Sequence, residues 1–474
     1  MVPCPSSTML WAEREMAGAQ VTHGKERVSL TAITAKLAHR PDLSFSAAVG
    51  DASRQAAHRI LAKEQIVPEG LLQGHFEQTA QRIRRWVKPG SLLLVLQDTM
   101  VVDFSKHPSI VGLGPTNDSG LGAFAHGALC CTDEGLPLGI IALNLWARDP
   151  DQPGTRKSKR ERPYVEKESY KWARALHKVQ ERIDPNQLTV VIQDREGDIF
   201  AFFAQPRRET VHLLVRASEP RNVEVVKEKD TQLPTTDAEE LPVSLFEAVE
   251  QAPVLGTLSI TVPRKGSQKE REATLNLRAQ AVRLLAPQNG HKKDPKQPQL
   301  VWVVQAIEEN LPKEVTPICW TLISTMAVTD LQQARMTVQR YTRRWLIERL
   351  HYTLKSGCSI EKLQIDDAWS LFNVIAVYYV VAWRLLHLTY LGRLPDDVPA
   401  EETFDAEELL VLTRLNRSAI KTTAQAVVAI AKLGGYTQYR NAQPPGVKVL
   451  WLGFRYLQAM VEGYRIASAP PTIQ

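Results

Sequence analysis

The chain has 474 residues, 44% of them hydrophobic and 23% charged, a composition typical of a soluble globular protein and not of a disordered or fibrous one. Its 58 basic and 52 acidic residues give a net charge of +6, which permits a nucleic-acid partner without requiring one. The five cysteines lack the two-residue gap of zinc and redox sites, and the first residues lack the features of a secretory signal. We therefore expect a cytoplasmic protein without structural zinc.

Residues 1–75 predict a helical N-terminal domain. Three segments show helical spacing, and each has Ser or Asp near its start. Two interpretations stay open for this domain. It is either a small bundle with a solvated face or a DNA-binding domain in which Arg54 and Arg59 contact DNA.

Residues 76–370 predict a catalytic domain of α/β class. Three apolar strands read as an antiparallel meander, and they are followed by helix, strand, helix and strand. The five predicted strands are 91–104, 123–132, 136–148, 188–198 and 212–218. This order is that of the ribonuclease-H-like fold. Residues 222–317 break the alternation and read as a β-rich insertion, after which 320–326 return the chain to the main sheet.

Residues 371–474 predict a helical C-terminal domain. Its most apolar segment, 371–383, is interrupted by Arg384 and His387 before it reaches the length of a membrane span. We therefore predict a buried core helix and no membrane association.

A second C-terminal helix predicts a homodimer. Its apolar residues fall on one face, which would pair two protomers; they are Trp451, Phe454, Leu457 and Val461. Burial of that face within the monomer is the alternative.

Two aspartates end similar strands. Asp98 follows LLLVLQ and Asp194 follows LTVVIQ, so each is an apolar run, then Gln, then Asp. An aspartate at one strand tip is more often a turn residue. Two tips of one central sheet, with Glu348 on a helix packed alongside, can bring three carboxylates together. Such a trio fits two Mg²⁺ ions, with Mn²⁺ as a substitute, for phosphodiester chemistry.

Tyr341, Arg344, Glu348 and Lys355 have the offsets of a single helical stripe. On a continuous helix they would fall within an arc of roughly 60°. Glu348 would then be the third metal ligand, Arg344 and Lys355 would clamp DNA phosphates, and Tyr341 would donate a hydrogen bond to one phosphate. The alternative is a surface helix carrying an Arg344–Glu348 ion pair.

Tyr341, Arg344, Glu348 and Lys355 are separated by two, three and six intervening residues. This spacing resembles the signature of the IS-four family of bacterial DDE transposases, and in particular its Tn-five-like members. Further similarity lies in LQDT, QDREGDI, VRASEPR and YTRRWLIE. It continues in WAEREMAGAQ near the start of the chain, and in AIAKLGGY and LWLGFRYLQAMVEGY near its end. The resemblance covers nearly the whole chain.

This resemblance implies cut-and-paste transposition. Water nicks the end of the element, the freed 3′-hydroxyl forms a hairpin, water reopens it, and the 3′-hydroxyl attacks target DNA. It also implies that Trp320 stacks on a base flipped out at the hairpin. Trp345 would be a second aromatic beside the phosphate clamp, and Arg216 would contact DNA.

The family pattern is not fully kept. A lysine usual near the signature glutamate is Tyr352 here, and the basic tract beyond it retains only Lys362. Two other functions remain open: a ribonuclease-H-like nuclease of the junction-resolvase type, and a DNA-binding regulator derived from a mobile element. The regulator would have lost an acidic ligand, whereas all three acids are present here.

Overall fold

The structure is a computed structural model that describes residues 7–117, 120–151, 162–226, 242–262, 270–309, 317–394, 398–439 and 442–468. Its α-helices are α1 Ser7–Met16, α2 Gly24–His39, α3 Phe45–Val49, α4 Asp51–Leu61, α5 Pro68–Leu71, α6 Gln73–Trp86, α7 Lys171–Arg182, α8 Phe200–Phe203, α9 Leu245–Glu250, α10 Leu331–Thr342, α11 Trp345–Tyr352, α12 Ala368–Leu391, α13 Ala406–Asn416, α14 Thr423–Leu433 and α15 Val447–Ser468. Its strands are β1 Leu93–Asp103, β2 Gly114–Pro115, β3 Leu121–Thr132, β4 Pro137–Trp146, β5 Thr189–Gln193, β6 Val211–Arg216, β7 Asn222–Val225, β8 Val243–Ser244, β9 Val254–Val262, β10 Arg271–Leu284, β11 Gln299–Glu308 and β12 Cys319–Ser324.

The described residues group into two compact units. The first unit draws on 1–88, 99–153 and 346–474, and the second draws on 89–98 and 154–345. The predicted division into domains 1–75, 76–370 and 371–474 stays a prediction, because compact units of this kind need not coincide with functional domains.

Helix α12 forms much of the core of the first unit. The Asp367 side chain accepts a hydrogen bond from the backbone N–H of Ser370 at 2.8 Å and so caps the helix. Its length and composition would allow it to cross a membrane, yet 89% of its most apolar window is buried inside the chain. That burial agrees with the predicted core helix. Strands β3 and β4 pair antiparallel in the same unit. Helices α1–α5 fall within the predicted N-terminal region 1–75, whereas α6, Gln73–Trp86, lies mostly beyond it.

Helices α12–α15 share an apolar cluster. Gly453 allows α15 to approach α14 closely, since a Cβ there would lie 1.8 Å from the Ile430 carbonyl oxygen. The predicted dimer face of α15 is buried in this cluster; it consists of Trp451, Phe454, Leu457 and Val461. The prediction that this face meets a second protomer is therefore wrong, because neighbouring helices of the same chain supply the apolar side chains that cover it.

The second unit is built on a mixed sheet. The first half of β1, β5 and β6 run parallel, and β12 pairs antiparallel with β6. Thus 320–326 do return the chain to the main sheet. Within the predicted insertion, β9, β10 and β11 form an antiparallel set, and β7 and β8 extend it. The polar link at 227–241 lies outside the described residues.

This mixed α/β architecture is compatible with a ribonuclease-H-like transposase. In the second unit, the first half of β1 pairs with β5, and β5 pairs with β6; in the first unit, β3 pairs with β4. The single five-stranded sheet expected from the meander and crossovers stays a prediction.

Candidate active site

Asp98 and Asp194 lie side by side in the second unit. The parallel register of β1 and β5 ends with the pair Leu96 and Ile192. Continued for two residues it would place Asp98 opposite Asp194, and the charge of Asp98 does act on Asp194. Neighbouring strands are about 4.8 Å apart, and alternate residues face the same side of a sheet. The two carboxylates therefore share one face of the sheet. The prediction that each aspartate ends a strand agrees with Asp194, which directly follows β5, but is wrong for Asp98, because β1 continues to Asp103.

The ionisation of Asp194 reflects this crowding. Burial, and next the negative charge of Asp98, raise the pKa of Asp194 to about 6. Two contributions work in the opposite direction: the Glu196 N–H donates to Asp194 Oδ1 at 2.9 Å, and the positive charge of Arg344 is nearby. A half-buried acid pair with one cation close to it is the electrostatic setting of a metal or catalytic site.

A buried amide pair lies directly before the two aspartates. Gln193 Nε2 donates to Gln97 Oε1 at 2.7 Å, and both side chains are fully buried. Gly197 makes room for the turn that follows, because a Cβ at that position would lie 2.0 Å from Gln193 Oε1. The amide pair therefore ties the two strands together one residue before the acids. Sequence reasoning missed it, although the paired LQD and IQD strings contained the signal.

A second network fixes the loop after Asp194. Asp198 accepts backbone hydrogen bonds from Ser218 at 2.7 Å and Glu219 at 3.0 Å, and it forms an ion pair with Arg221. These residues belong to the strings QDREGDI and VRASEPR. Three donors on one buried carboxylate hold the segments after β5 and β6 against each other.

Trp320, Tyr341 and Arg216 also lie near one another in the second unit. The rings of Trp320 and Tyr341 meet edge to face with centroids 5.9 Å apart. Arg216 Nη2 donates to the carbonyl oxygen of Cys319 at 3.1 Å, next to the tryptophan in sequence. Tyr341 is only 3% exposed, and its predicted hydrogen bond to a DNA phosphate stays a prediction.

The segment carrying the four-residue signature is not one continuous α-helix. Helix α10 ends at Thr342, where Arg343 and Arg344 close tight hydrogen bonds to the carbonyls three residues earlier. Helix α11 then begins, and a π-helical turn at Thr353–Gly357 contains Lys355. The expected 60° stripe is therefore wrong as a geometric argument, because its angles assume uninterrupted α-helix.

Arg344 lies near two aromatic rings. Its guanidinium carbon lies 5.9 Å from the ring centre of Tyr341 and 5.9 Å from that of Trp345. Trp345 is 56% exposed. Stacking of this kind restricts where the guanidinium can lie while its charge acts on Asp194.

The other predicted site residues belong to the first unit. Glu348 is half-buried on α11. Lys355 forms an ion pair with Glu361 at 2.8 Å. Arg54 and Arg59 are exposed on α4, where Arg54 lies 3.3 Å from Asp51. Their roles on DNA stay predictions.

The C-terminal helices match a known family. Residues 380–471, which contain the second half of α12 and all of α13–α15, match the family model described as the transposase Tn5 dimerisation domain. The match supports a Tn5-like transposase, hence a DNA-cutting enzyme, and suggests a homodimer. By its C-terminal region, this chain is similar to the dimerisation domain of the Tn5 transposase.

Proposed function

We propose that this protein is a cut-and-paste DDE transposase of the IS-four type whose metal-binding carboxylates are Asp98, Asp194 and Glu348. The proximity of Asp98 and Asp194, two residues beyond the last parallel pair of β1 and β5, carries the proposal. A set of carboxylate oxygens suits Mg²⁺, with Mn²⁺ as a substitute. The raised pKa of Asp194 supports the fit, since burial and next the charge of Asp98 raise it, and a cation between the two acids would offset both.

Glu348 is proposed as the third ligand from its place in the sequence. It follows Arg344 by four residues, and four residues span at most about 14 Å. Because the charge of Arg344 acts on Asp194, that reach supports a role for Glu348 with the aspartate pair.

The remaining residues would act on the DNA. Bound Mg²⁺ would activate the attacking oxygen and stabilise the leaving oxygen at phosphorus. Arg344 would hold a phosphate beside the aspartates, and Lys355 would do the same after exchanging Glu361 for a phosphate. Trp320 would offer a π-face to a flipped base. Arg216, held by its hydrogen bond to the Cys319 carbonyl, would contact the DNA strand beside that base.

The proposed reaction is four displacements at phosphorus. Water attacks at the end of the element and the 3′-oxygen leaves as a hydroxyl. That hydroxyl attacks the opposite strand and closes a hairpin, and water then reopens the hairpin. The same 3′-oxygen finally attacks target DNA, forming one P–O bond as another breaks. One set of residues can serve each step because all four have the same in-line geometry.

The proposed partners follow from this chemistry. They are duplex DNA carrying the terminal inverted repeats, target DNA, and a second copy of the chain in a complex that holds both ends. We expect the protein in the bacterial cytoplasm, where it would meet the nucleoid.

The decisive experiment incubates purified protein with labelled DNA carrying its own element ends and Mg²⁺, followed by a denaturing gel. Nicks that mature into hairpins are expected. Asp98→Asn, Asp194→Asn and Glu348→Gln should each reduce nicking by orders of magnitude while leaving end binding nearly intact. Nicks without hairpins would indicate a simple nuclease. Binding without any cleavage would indicate a regulator.

A further inference from the structure

Three potential metal ligands meet where helix α2 ends beside the start of α13. His39 is the last residue of α2, Asp405 is the N-cap of α13, and Glu408 lies in its first turn. One ligand atom from each lies within 4.8 Å of the other two. All three belong to the first unit, and none is among the proposed catalytic residues.

Two atoms of this cluster face each other without the hydrogen bonds that buried groups usually make. His39 Nε2 and Asp405 Oδ2 are 3.5 Å apart. Both atoms are buried and form an ion pair only when His39 is protonated, and neither makes a hydrogen bond of good geometry to the described residues. Asp405 itself is 4% exposed. An unsatisfied buried polar atom costs about 1–3 kcal/mol, and a cation would use the lone pairs of both atoms at once.

The carboxylates are already oriented by other hydrogen bonds. Asp405 Oδ1 accepts from the backbone N–H of Thr8 at 2.9 Å. Glu408 Oε1 accepts from Gln458, and Oε2 accepts from the backbone N–H of Asp405 at 2.8 Å. Outer contacts of this kind fix the direction of ligand lone pairs in metal sites.

The charge balance favours an additional cation. Glu408 is 2% exposed and Asp405 is 4% exposed, so both carboxylates are out of water. Two groups can place positive charge beside them: the buried guanidinium of Arg384, which donates to Thr8 Oγ1 at 2.9 Å and lies over Trp11, and His39 when it carries a proton. One guanidinium balances one carboxylate. Two ionised buried carboxylates therefore need a second positive charge, supplied either by an ion or by protonated His39.

We propose that His39, Asp405 and Glu408 bind one divalent cation of the zinc type, which joins the end of α2 to the start of α13. Zn²⁺ takes imidazole nitrogen and carboxylate oxygen together, and three protein ligands leave a fourth position for water. This site uses none of the residues proposed to cleave DNA. Zinc binding can therefore be tested independently of the proposed transposase activity.

The test uses the full-length, tag-free protein after treatment with a chelator, and Zn²⁺ in equilibrium dialysis. Wild type should bind one equivalent, and its melting temperature should rise with Zn²⁺. His39→Gln should weaken binding at least tenfold and remove the Zn²⁺-dependent rise. His58→Gln changes another half-buried histidine, on helix α4, and should leave both the zinc affinity and the Zn²⁺-dependent rise unchanged. Asp98→Asn should also bind one equivalent of Zn²⁺, which separates this site from the proposed catalytic one.

Several outcomes would overturn the proposal. Absence of stoichiometric zinc is one, and equal zinc affinity in wild type and His39→Gln is another. If His39→Gln lowers the melting temperature without Zn²⁺ and only at acidic pH, protonated His39 is the second cation and no metal is needed. Should His39→Gln fail to fold, Glu408→Gln gives a second variant, and retention of tight binding in it would equally refute the ligand set.

Discussion

Asp194 connects the proposed chemistry to the stability of the metal-free protein. Its pKa in the folded chain is about 6, above the ordinary value of 3.8. The proton therefore binds the folded state more tightly. The resulting stabilisation is complete below about pH 4 and is lost as the pH rises through 6. At neutral pH without metal, the two aspartates repel each other across adjacent strands.

Asp194→Asn should therefore raise stability while it abolishes cleavage. We expect the metal-free variant to melt about 2–4 °C above wild type at pH 7.5, with a smaller difference at pH 4.5, because asparagine removes the repulsion. Scanning calorimetry in chelator at both pH values measures this. Glu196→Gln, a change to an exposed neighbouring acid, should leave nicking nearly unchanged. A lower melting temperature for Asp194→Asn at pH 7.5 would contradict the argument.

Trp320 permits a test that separates hairpin formation from the first nick. Its ring packs on Tyr341 at 5.9 Å, and Trp320→Ala would remove the surface offered to a flipped base. Base–aromatic stacking is worth roughly 1–3 kcal/mol, so hairpin formation should slow by about one to two decades while the first nick is spared. Trp320→Phe should recover part of the rate, and a labelled-end time course measures both products.

Trp302→Ala is a suitable control because Trp302 lies on the adjacent strand β11 and pairs with Ser324. The Trp302→Ala substitution should lower stability and slow formation of the nick and of the hairpin to the same extent. Equal slowing of nick and hairpin by Trp320→Ala, or a large fall in its melting temperature, would assign Trp320 a structural role only.

The strands were predictable from sequence, whereas the signature helix was not. Alternation and apolar runs marked β1, β5 and β6. The repeated Gln-Asp string predicted that Asp98 and Asp194 lie on neighbouring strands, although β1 continues past Asp98 to Asp103. The break after Thr342 depends on hydrogen bonds from Arg343 and Arg344 that close one residue earlier than in an α-helix. Residue periodicity carries no signal for that change of register.

Residue periodicity also failed to predict which side of helix α15 is buried within the monomer. The exposed side suggests where a second protomer binds. The side expected to pair is buried, and the other side exposes Tyr456 at 52% and Met460 at 40%, one helical turn apart. An apolar surface on the last helix of a matched dimerisation domain is the surface we expect the second copy to cover.

Met460→Glu should therefore weaken the homodimer, because each interface would bury an unpaired charge. Light scattering after size exclusion should give the monomer mass at concentrations where wild type is dimeric, and the paired-end complex should disappear from native gels. Tyr439→Glu, at a 68% exposed position outside this helix, serves as the control and should remain dimeric. A dimeric Met460→Glu variant would move the interface elsewhere.

Contacts between distant parts of the sequence unite the first unit, and residue patterns give no indication of them. Asn373 on α12 is fully buried, and its amide donates to the carbonyls of Leu61 at 2.8 Å and Ile66 at 2.9 Å. These two bonds hold the end of α4, the helix that carries Arg54 and Arg59. The N-terminal helices are thus fixed by a C-terminal one, and their DNA contacts should depend on that attachment.

Asn373→Leu should destabilise the protein and weaken binding to the element ends together. The substitution leaves two buried carbonyls without a donor, at about 1–3 kcal/mol each, so urea unfolding should shift by about 2–5 kcal/mol. Trp369→Phe removes a bond of the same kind, from Trp369 Nε1 to the Lys63 carbonyl at 3.0 Å. That side chain is 40% exposed, and water can replace the lost donor, so the cost should stay below about 1 kcal/mol. Equal losses in the two variants, or full end binding by destabilised Asn373→Leu, would show that α4 positions its arginines without help from α12.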